Sequence, residues 1–269
     1  MAKKMISALR EVVGESVELE EKRGRIRSSL MNKNRMAIFK FLCEVPGSSV
    51  LSISKEFELS VSTVKWHLER LKMGRFVVET HTGNKVSYFP NGIAEKRFME
   101  VLAILNERLP AAIYWTLLRS KGLTQDDLRR HLGLNIQPIR HSLSKLEQLN
   151  LILSVIDGRY RRYYPTDELF ALSSGNRKKL RQFKTTLMKS LENDMLNPKV
   201  RVTKTGDRVI EVEVGLEKSL IRIPSDLSAS VLLFNSDRDK AGDRTTKNGD
   251  GDGGGKNGAD TGALQVQSQ

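Results

Sequence analysis

The 269-residue sequence predicts a mainly α-helical fold with small β hairpins, in which one module occurs twice. A shift of 75 positions aligns the chain with itself without a gap. The matching residues are apolar residues at helical spacing, a glycine in each hairpin turn and a proline at each strand end. They are Ala37/Ala112, Ile38/Ile113, Leu42/Leu117, Gly47/Gly122, Leu59/Leu134, Leu68/Leu143, Leu71/Leu146, Gly83/Gly158, Tyr88/Tyr163 and Pro90/Pro165. Because these positions are structural, we expect the copies to share a fold and their differences to show what each copy does.

The first copy, residues 31–92, is expected to contain three helices and a hairpin. Apolar periodicity and turn residues predict helices over 36–45, 51–57 and 61–73 and strands over 76–78 and 86–89. Ser60 is a good N-cap for the third helix, and Gly74 is expected to end it. Residues 1–30 precede this copy as an amphipathic helix and a basic arm, which is a leader arm, a dimer element or a solvated helix end.

The second copy, residues 109–166, repeats this order. Helices are predicted over 109–119, 124–132 and 135–149, and a hairpin turns at Asp157-Gly158. The second helix opens with Thr124-Gln125-Asp126-Asp127, which resembles a capping box.

Three further segments complete the expected architecture. Residues 93–108 read as a connecting helix that packs against both copies. Residues 167–234 read as a long helix with an apolar stripe followed by a small β element, which dimerises or binds a partner. Residues 235–269 are rich in Gly, Asp, Lys and Asn and are expected to be disordered.

The charge of the chain is strongly positive and unevenly distributed. The formal net charge is +13, which points to a polyanionic partner such as nucleic acid or an acidic membrane surface. Residues 96–166 carry twelve Lys and Arg against six Asp and Glu, whereas residues 31–95 carry nine against six. The second copy should therefore attract phosphates more strongly.

Cysteine usage and hydropathy indicate the compartment. The single cysteine, Cys43, excludes an internal disulfide and a cysteine-rich zinc site, and its apolar neighbours predict a buried thiol. The sequence has no run of 18 apolar residues and no apolar secretion signal at its start. We expect a cytoplasmic protein without membrane contact.

Helix, helix-turn-helix and a two-stranded wing form the winged-helix order, so the expected fold is two tandem winged helix-turn-helix domains. In such a domain the second helix of the helix-turn-helix enters the DNA major groove, one face packed inward and the opposite face outward. The inward stripes are Val64, Leu68 and Leu71 in copy one and Ile139, Leu143 and Leu146 in copy two. The outward and flanking candidates for DNA contact are Ser62, Thr63, Lys65, Trp66 and Arg70 in copy one and Gln137, Arg140, His141, Ser144 and Lys145 in copy two.

Ring-bearing and wing residues add to these candidates. Trp66 and His141 are 75 positions apart, and an outward tryptophan needs a thymine methyl, a sugar edge, a protein surface or a neighbouring helix or wing as its partner. The first wing offers Lys85. The second wing offers three arginines, which can bind phosphates or enter a minor groove. They are Arg159, Arg161 and Arg162.

These residues also carry a family resemblance. Pro46-Gly47, the run LSVSTVKWHLERL at 59–71 and the Gly-turned wing resemble the winged helix-turn-helix of arsenic-repressor-like and multiple-antibiotic-resistance-regulator-like proteins of archaea and bacteria. The doubled arrangement over residues 31–166 resembles archaeal tandem winged-helix proteins. Copy two departs from the pattern, because Pro138 stands in the first helical turn, where proline is tolerated, and the His-Leu pair is missing. The resemblance implies sequence-specific binding of double-stranded DNA and transcription regulation, usually as a dimer.

The sequence gives little support to metal sensing or catalysis. Cys43 and the four histidines are scattered, without the spacing of a metal site. We found no phosphate-binding glycine loop, nucleophile elbow or His-Glu-x-x-His motif. We therefore expect neither a metal, nor a cofactor, nor an enzyme.

The favoured hypothesis is a homodimeric transcription regulator that binds double-stranded DNA. The alternative is a tandem winged-helix scaffold that binds proteins of a transcription or replication complex. A scaffold does not need the net positive charge of residues 31–166, whereas DNA binding gains from it through counterion release. Structured RNA is a third possibility, but the aromatic stacking pairs of common RNA-binding modules are missing.

Overall fold

Helices and small antiparallel sheets make up the described part of the chain. The computed structural model describes residues 30, 32–193, 196–203, 207–214 and 217–231, all within the first of two compact units, residues 1–236. The helices are α1 (Lys33–Glu44), α2 (Val50–Phe57), α3 (Val61–Met73), α4 (Lys96–Leu105), α5 (Arg108–Arg119), α6 (Gln125–Leu132), α7 (Ile136–Gln148) and α8 (Glu168–Asn193), and a short helical segment spans 227–231. The strands are β1 (Val77–Thr82), β2 (Lys85–Pro90), β3 (Ile152–Asp157), β4 (Tyr160–Pro165), β5 (Lys199–Val202), β6 (Arg208–Val214) and β7 (Glu217–Ile223).

One series of elements occurs at two places in the chain. The elements α1, α2, α3, β1 and β2 have counterparts in α5, α6, α7, β3 and β4, each beginning and ending 75 positions later. The pairs β1–β2 (wing 1) and β3–β4 (wing 2) are antiparallel, and a β bridge joins each to the segment before the second helix, Ser48 to Tyr88 and Leu123 to Tyr163. This order is compatible with a winged helix. The division into two tandem domains stays a prediction.

Glycine stands before the second helix of each series for a steric reason. Gly47 has φ of 91°, and a Cβ atom there would lie 2.8 Å from the Phe89 ring. Gly122 has φ of 77°, and a Cβ atom there would lie 3.0 Å from the Tyr164 hydroxyl. A side chain at either position would therefore meet both backbone strain and a wing residue.

The helix starts follow the expected capping chemistry. The Ser60 hydroxyl accepts a hydrogen bond from the backbone N–H of Thr63 at 3.1 Å, as expected for the N-cap of α3. Thr124 and Asp127 form a full capping box on α6. The hydrogen bonds that Thr124 donates also lower the pKa of the Asp127 carboxyl.

Helix α3 ends where the sequence predicts, with Gly74 as its C-cap. The φ of Gly74 is −75°, and the left-handed residue is the next one, Arg75, with φ of 59°. Asn150, 75 positions later, has φ of 58°. Both α3 and α7 are thus followed, two residues after their last helical residue, by a non-glycine residue in the left-handed region.

Helix α4 and its flanks hold the two series of elements together. Its apolar residues, including Phe98 and Leu102, are buried, and the helix packs against β1 and α5. On one side the Asn106 amide donates to the Pro46 carbonyl at 2.6 Å. On the other side the Arg97 guanidinium donates to the Leu149 carbonyl at 2.8 Å.

The apolar stripe of α8 finds its partner within the chain. Leu180, Phe183, Leu187 and Leu191 are all buried in the hydrophobic core. The buried Asn176 amide accepts from the Glu95 backbone N–H at 3.2 Å and donates to the Ile93 carbonyl at 3.0 Å, which fastens α8 to the start of α4. This stripe is therefore not an open dimerisation surface.

The sheet β5-β6-β7 folds back onto the beginning of the described chain. Its buried residues Ile210, Ile221 and Ile223 belong to the core, and β7 packs against α1. The Ser230 hydroxyl donates to the Glu44 carbonyl at the end of α1.

Some predictions lie partly or wholly beyond these residues. The predicted N-terminal helix and basic arm fall outside the described residues, apart from the buried Leu30, and so does the tail at 235–269. Among the described residues, no single helix has the length and hydropathy needed to cross a membrane. Only α4 and α5 taken together meet that test, and they are bent by 93° with most of their apolar residues in the core.

Candidate nucleic-acid interface

Helix α3 presents one apolar face inward and one polar face outward. Val64, Leu68 and Leu71 are fully buried, as the stripe predicts. Among the predicted contact residues, Ser62, Lys65, Trp66 and Arg70 are exposed and Thr63 is half-buried. The hydroxyls of Ser62 and Thr63 each lie 2.8 Å from the Ser60 hydroxyl, so the start of the helix already uses them in its cap.

Trp66 lies between two guanidinium groups. Its side chain is 50% exposed, and the guanidinium carbons of Arg35 and Arg70 lie 5.7 and 5.5 Å from the ring centroid. Both distances are within the range of cation–π attraction. Arg35 belongs to α1, so the neighbouring helix that was one of the expected partners is present, and half of the ring still faces outward.

The next residue, His67, is buried, and its surroundings disfavour the protonated form of the ring. Its ring meets the Trp66 ring edge-on at 4.9 Å, and its Nδ1 atom has no hydrogen-bond partner. Burial, assisted by the positive charge of Arg35, lowers the pKa of His67. His67 is thus structural, as expected, although the expected hydrogen bond is missing at Nδ1.

Helix α7 shows the same division of faces. Ile139, Leu143 and Leu146 are buried. The exposed predicted residues are Gln137, Arg140, His141 and Ser144. Lys145 differs from the prediction, because it is half-buried and directs its ammonium group to a carboxylate.

Arg140 is held by a short chain of hydrogen bonds. Its Nε donates to Gln125 Oε1 at 3.0 Å, and the Gln125 amide donates to the Tyr163 hydroxyl at 2.7 Å. Tyr163 is fully buried in β4 and so provides a fixed end for this chain. Sequence reasoning missed Gln125. The available signal was a difference between the two series: the second has the polar Gln125 where the first, 75 positions earlier, has the apolar Val50.

Glu107 is the second residue that sequence reasoning missed. It occupies the N-cap of α5 but makes no capping hydrogen bond with its side chain. Its carboxylate instead binds Lys85 of wing 1 at 2.6 Å and Lys145 of α7 at 3.0 Å. One carboxylate therefore brings together two predicted contact residues from the two series of elements.

Wing 2 carries both arginines and exposed apolar side chains. Arg159 and Arg161 are exposed, whereas Arg162 pairs with Asp157 at 2.6 Å and donates to the Gly122 carbonyl at 3.0 Å. Arg162 thus has a structural contact that the sequence did not predict. The exposed apolar residues of this wing are Leu153, Val155, Ile156 and Tyr160.

Wing 1 has no comparable apolar surface. Thr80, the counterpart of Val155, is buried and donates to the Met99 sulfur of α4 at 3.9 Å. Helix α4 covers wing 1 in this way, while α8 packs against α4.

The predicted residues therefore fall into three surfaces. One is the α3 face around Trp66, the second is the α7 face with Lys85, and the third is wing 2. Among the described residues, no group of three or more His, Cys, Asp or Glu side chains is arranged to hold a metal ion. The exposed cations of these surfaces suit anion binding, and the outward side chains of α7 suit hydrogen bonding to base edges.

Comparison with known proteins gives one distant relative. No family model matches the chain. Over 140 residues the chain is 29% identical to an uncharacterized HTH-type transcriptional regulator of Methanocaldococcus jannaschii, and the match covers 52% of this chain and 35% of the relative. The chain thus spans about a third of that relative's length. A crystal structure of a Corynebacterium diphtheriae protein matches 49% of this chain and 26% of its own at 14% identity, with a TM-score of 0.21. The chain is therefore distantly similar to a protein named as an HTH-type transcriptional regulator.

Proposed function

We propose that this protein regulates transcription by binding double-stranded DNA through two winged-helix modules, residues 31–92 and 109–166. The observation that carries the proposal is the surface of the second module, where the exposed face of α7 adjoins wing 2 in the most basic part of the chain. The name of the distant relative supports the same function. The recurrence of one element order at 75 positions supports two modules.

In this proposal α7 enters the major groove. Gln137 is suited to adenine and Arg140 to guanine, because each can form two hydrogen bonds with the edge of that base. Gln125 restricts the Arg140 side chain before binding, which reduces the entropy that ordering it would cost. Arg159 and Arg161 bind phosphates or enter a minor groove.

The first module makes a smaller electrostatic contribution. Lys65 and Arg70 attract the backbone, and the exposed half of Trp66 packs on a thymine methyl or a sugar edge. A homodimer would present four such helices to an extended site. Its interface must lie outside the buried stripe of α8.

The first experiment is binding of the purified protein to a sheared pool of genomic duplexes at several salt concentrations, with sequencing of the retained DNA. We expect a shared sequence motif and a steep loss of affinity as salt rises. Salt-sensitive retention without a motif would indicate an architectural DNA-binding protein rather than a sequence-specific regulator. Absence of retention at low salt would refute DNA binding.

Substitutions then test the surfaces. We expect Arg159→Ala with Arg161→Ala to weaken binding to all duplexes and to flatten the salt dependence, and Gln137→Ala to change sequence preference more than general affinity. The matched control is Arg177→Ala with Lys178→Ala, which removes two exposed cations from α8. Equal effects of the two double variants would show that only net charge matters.

The second candidate function is a protein-interaction scaffold in a transcription or replication complex. It is favoured by the apolar surface of wing 2, where Leu153, Val155 and Tyr160 are exposed on one face of the hairpin. Val155→Ser distinguishes the two functions. A DNA regulator should keep most of its duplex affinity in this variant, whereas a scaffold should lose its protein partner.

A further inference from the structure

A cleft separates wing 1 and the start of α2 from helix α7. Its volume is about 720 Å³, which is within the usual range for sites of small organic molecules. The floor is the segment that joins α4 to α5. Lys85, His141 and Lys145, which belong to the second of the three surfaces, also line this cleft.

Most of the cleft wall is apolar. Leu51, Val86, Leu109 and Pro138 line it, and Leu51 is 62% exposed although it stands at the start of a helix that packs on the core. Burying this exposed apolar surface under an apolar group of a ligand would be favourable, because it removes the surface from water.

Positive charge is concentrated at one place in the cleft. Lys85 and Lys145 both line the cleft and bind the Glu107 carboxylate, so one negative charge faces two ammonium groups. An anion at this place would balance the excess charge and replace water on the lysines.

Nearby serines contribute less to ligand recognition. The Ser48 hydroxyl donates to the Val45 carbonyl at 2.8 Å, and the Ser142 hydroxyl donates to the Pro138 carbonyl at 2.9 Å. The hydroxyls of these two lining serines are therefore already engaged in local hydrogen bonds.

We propose that this cleft binds an amphipathic organic anion, in which a carboxylate or sulfonate pairs with Lys85 and Lys145 and an apolar ring system packs against Leu51 and Leu109. A ligand there touches wing 1 and α7 at once and so fixes their separation. The inference goes beyond the proposed DNA binding and does not require it.

The test uses two fluorescent probes that differ in one charged group. These are 8-anilinonaphthalene-1-sulfonate and N-phenyl-1-naphthylamine, which lacks the sulfonate. The full chain is titrated in the absence of nucleic acid, and methyl NMR spectra report where each probe binds. We expect saturable binding of the sulfonate, at least about tenfold tighter than the uncharged probe, with shifts at the Leu51, Val86 and Leu109 methyl groups.

Three variants sharpen the assignment. Leu51→Glu places a carboxylate at the cleft wall and should weaken sulfonate binding by about tenfold or more, and Lys85→Gln should reduce the preference for the sulfonate. Leu118→Glu is the matched control, because Leu118 is an exposed leucine outside the cleft, and its sulfonate affinity should stay unchanged.

Equal affinity for both probes, equal effects of the two Glu variants, or methyl shifts confined to wing 2 would overturn the proposal. Since no DNA is present, any of these results would leave the DNA-binding proposal untouched. Conversely, the probe result stands even if the duplex pool is not retained.

Discussion

Glu107→Gln should increase DNA affinity while slightly lowering stability. The carboxylate occupies the ammonium groups of Lys85 and Lys145, two predicted contact residues on opposite sides of the cleft. The amide keeps the shape of the side chain but binds cations weakly. Both lysines then become available for phosphates.

The magnitude follows from counterion release. Each phosphate contact contributes about −0.9 to the slope of log affinity against log salt, so two released lysines should steepen the slope by about 1.8. Taking the two proteins as equal at 1 M salt, the variant should bind DNA about eightfold more tightly than the wild type at 0.1 M salt if one lysine is released, and about sixtyfold more tightly if both are. The loss of two partly exposed ion pairs should lower the free energy of unfolding by about 1 kcal/mol.

The assay is fluorescence anisotropy with a random-sequence duplex at five salt concentrations, together with urea unfolding. Glu168→Gln is the control, because this carboxylate lies 3.7 Å from Arg97, outside the predicted DNA surfaces, and its loss changes the net charge equally. A steeper slope only in the Glu107 variant supports the assignment. The same slope in both variants, with the expected loss of stability at position 107, would refute it.

Three further predictions concern the orientation of Arg140, the attachment of α8 to the start of α4, and the pH dependence of stability. Gln125→Leu should weaken binding to the preferred site by about 1–3 kcal/mol but leave random-duplex affinity unchanged, as measured by competition anisotropy, because Arg140 loses its fixed orientation. An equal loss on both duplexes would contradict a positioning role. Asn176→Leu should lower the free energy of urea unfolding by about 2 kcal/mol, because it leaves the Ile93 carbonyl and the Glu95 N–H unpaired, whereas Gln182→Leu on the exposed side of α8 should change little. The lowered pKa of His67 means that the unfolded chain takes up its proton first, so stability should be complete above pH about 6.5 and fall as the pH drops through the folded-state value. Thermal melts from pH 7 to pH 5 should show this loss in the wild type and less of it in His67→Gln, and parallel profiles would exclude His67 as the source.

The helices could be predicted closely because their signals are local. Apolar spacing and the Ser60 and Thr124 caps depend only on neighbouring residues, and α3 was expected over the same residues that it occupies, 61–73. The second series gained from comparison with the first. Its helices begin and end within one residue of the expected bounds.

The site was less predictable because its details depend on residues far apart in sequence. Periodicity indicates that Lys145 and Arg162 point outward, but Glu107 and the Gly122 carbonyl meet them only in the folded chain. The same holds for Gln125, whose partner Tyr163 lies 38 residues away. Helical periodicity cannot indicate such contacts.

The packing of α8 is another feature that the sequence pattern alone does not predict. An amphipathic helix must cover its apolar stripe, but its sequence does not say with what. From the sequence, the segment that contains Leu180 and Phe183 was expected to dimerise or to bind a partner. In the structure the stripe is buried within the chain.

The packing of β7 against α1 has a consequence for synthesis of the protein. The first helix of the described chain is covered by a strand that the ribosome makes about 180 residues later, and Ser230 bonds to the end of that helix. Contacts between such distant parts of a chain form slowly, since a long loop must close first. The part of α1 that packs against β7 therefore stays uncovered while the intervening chain emerges, whereas α3 and β2 cover other parts of the helix. A product that stops before residue 217 keeps that part uncovered permanently. Such truncated chains should depend on chaperones or aggregate, even though they contain every predicted DNA-contact residue.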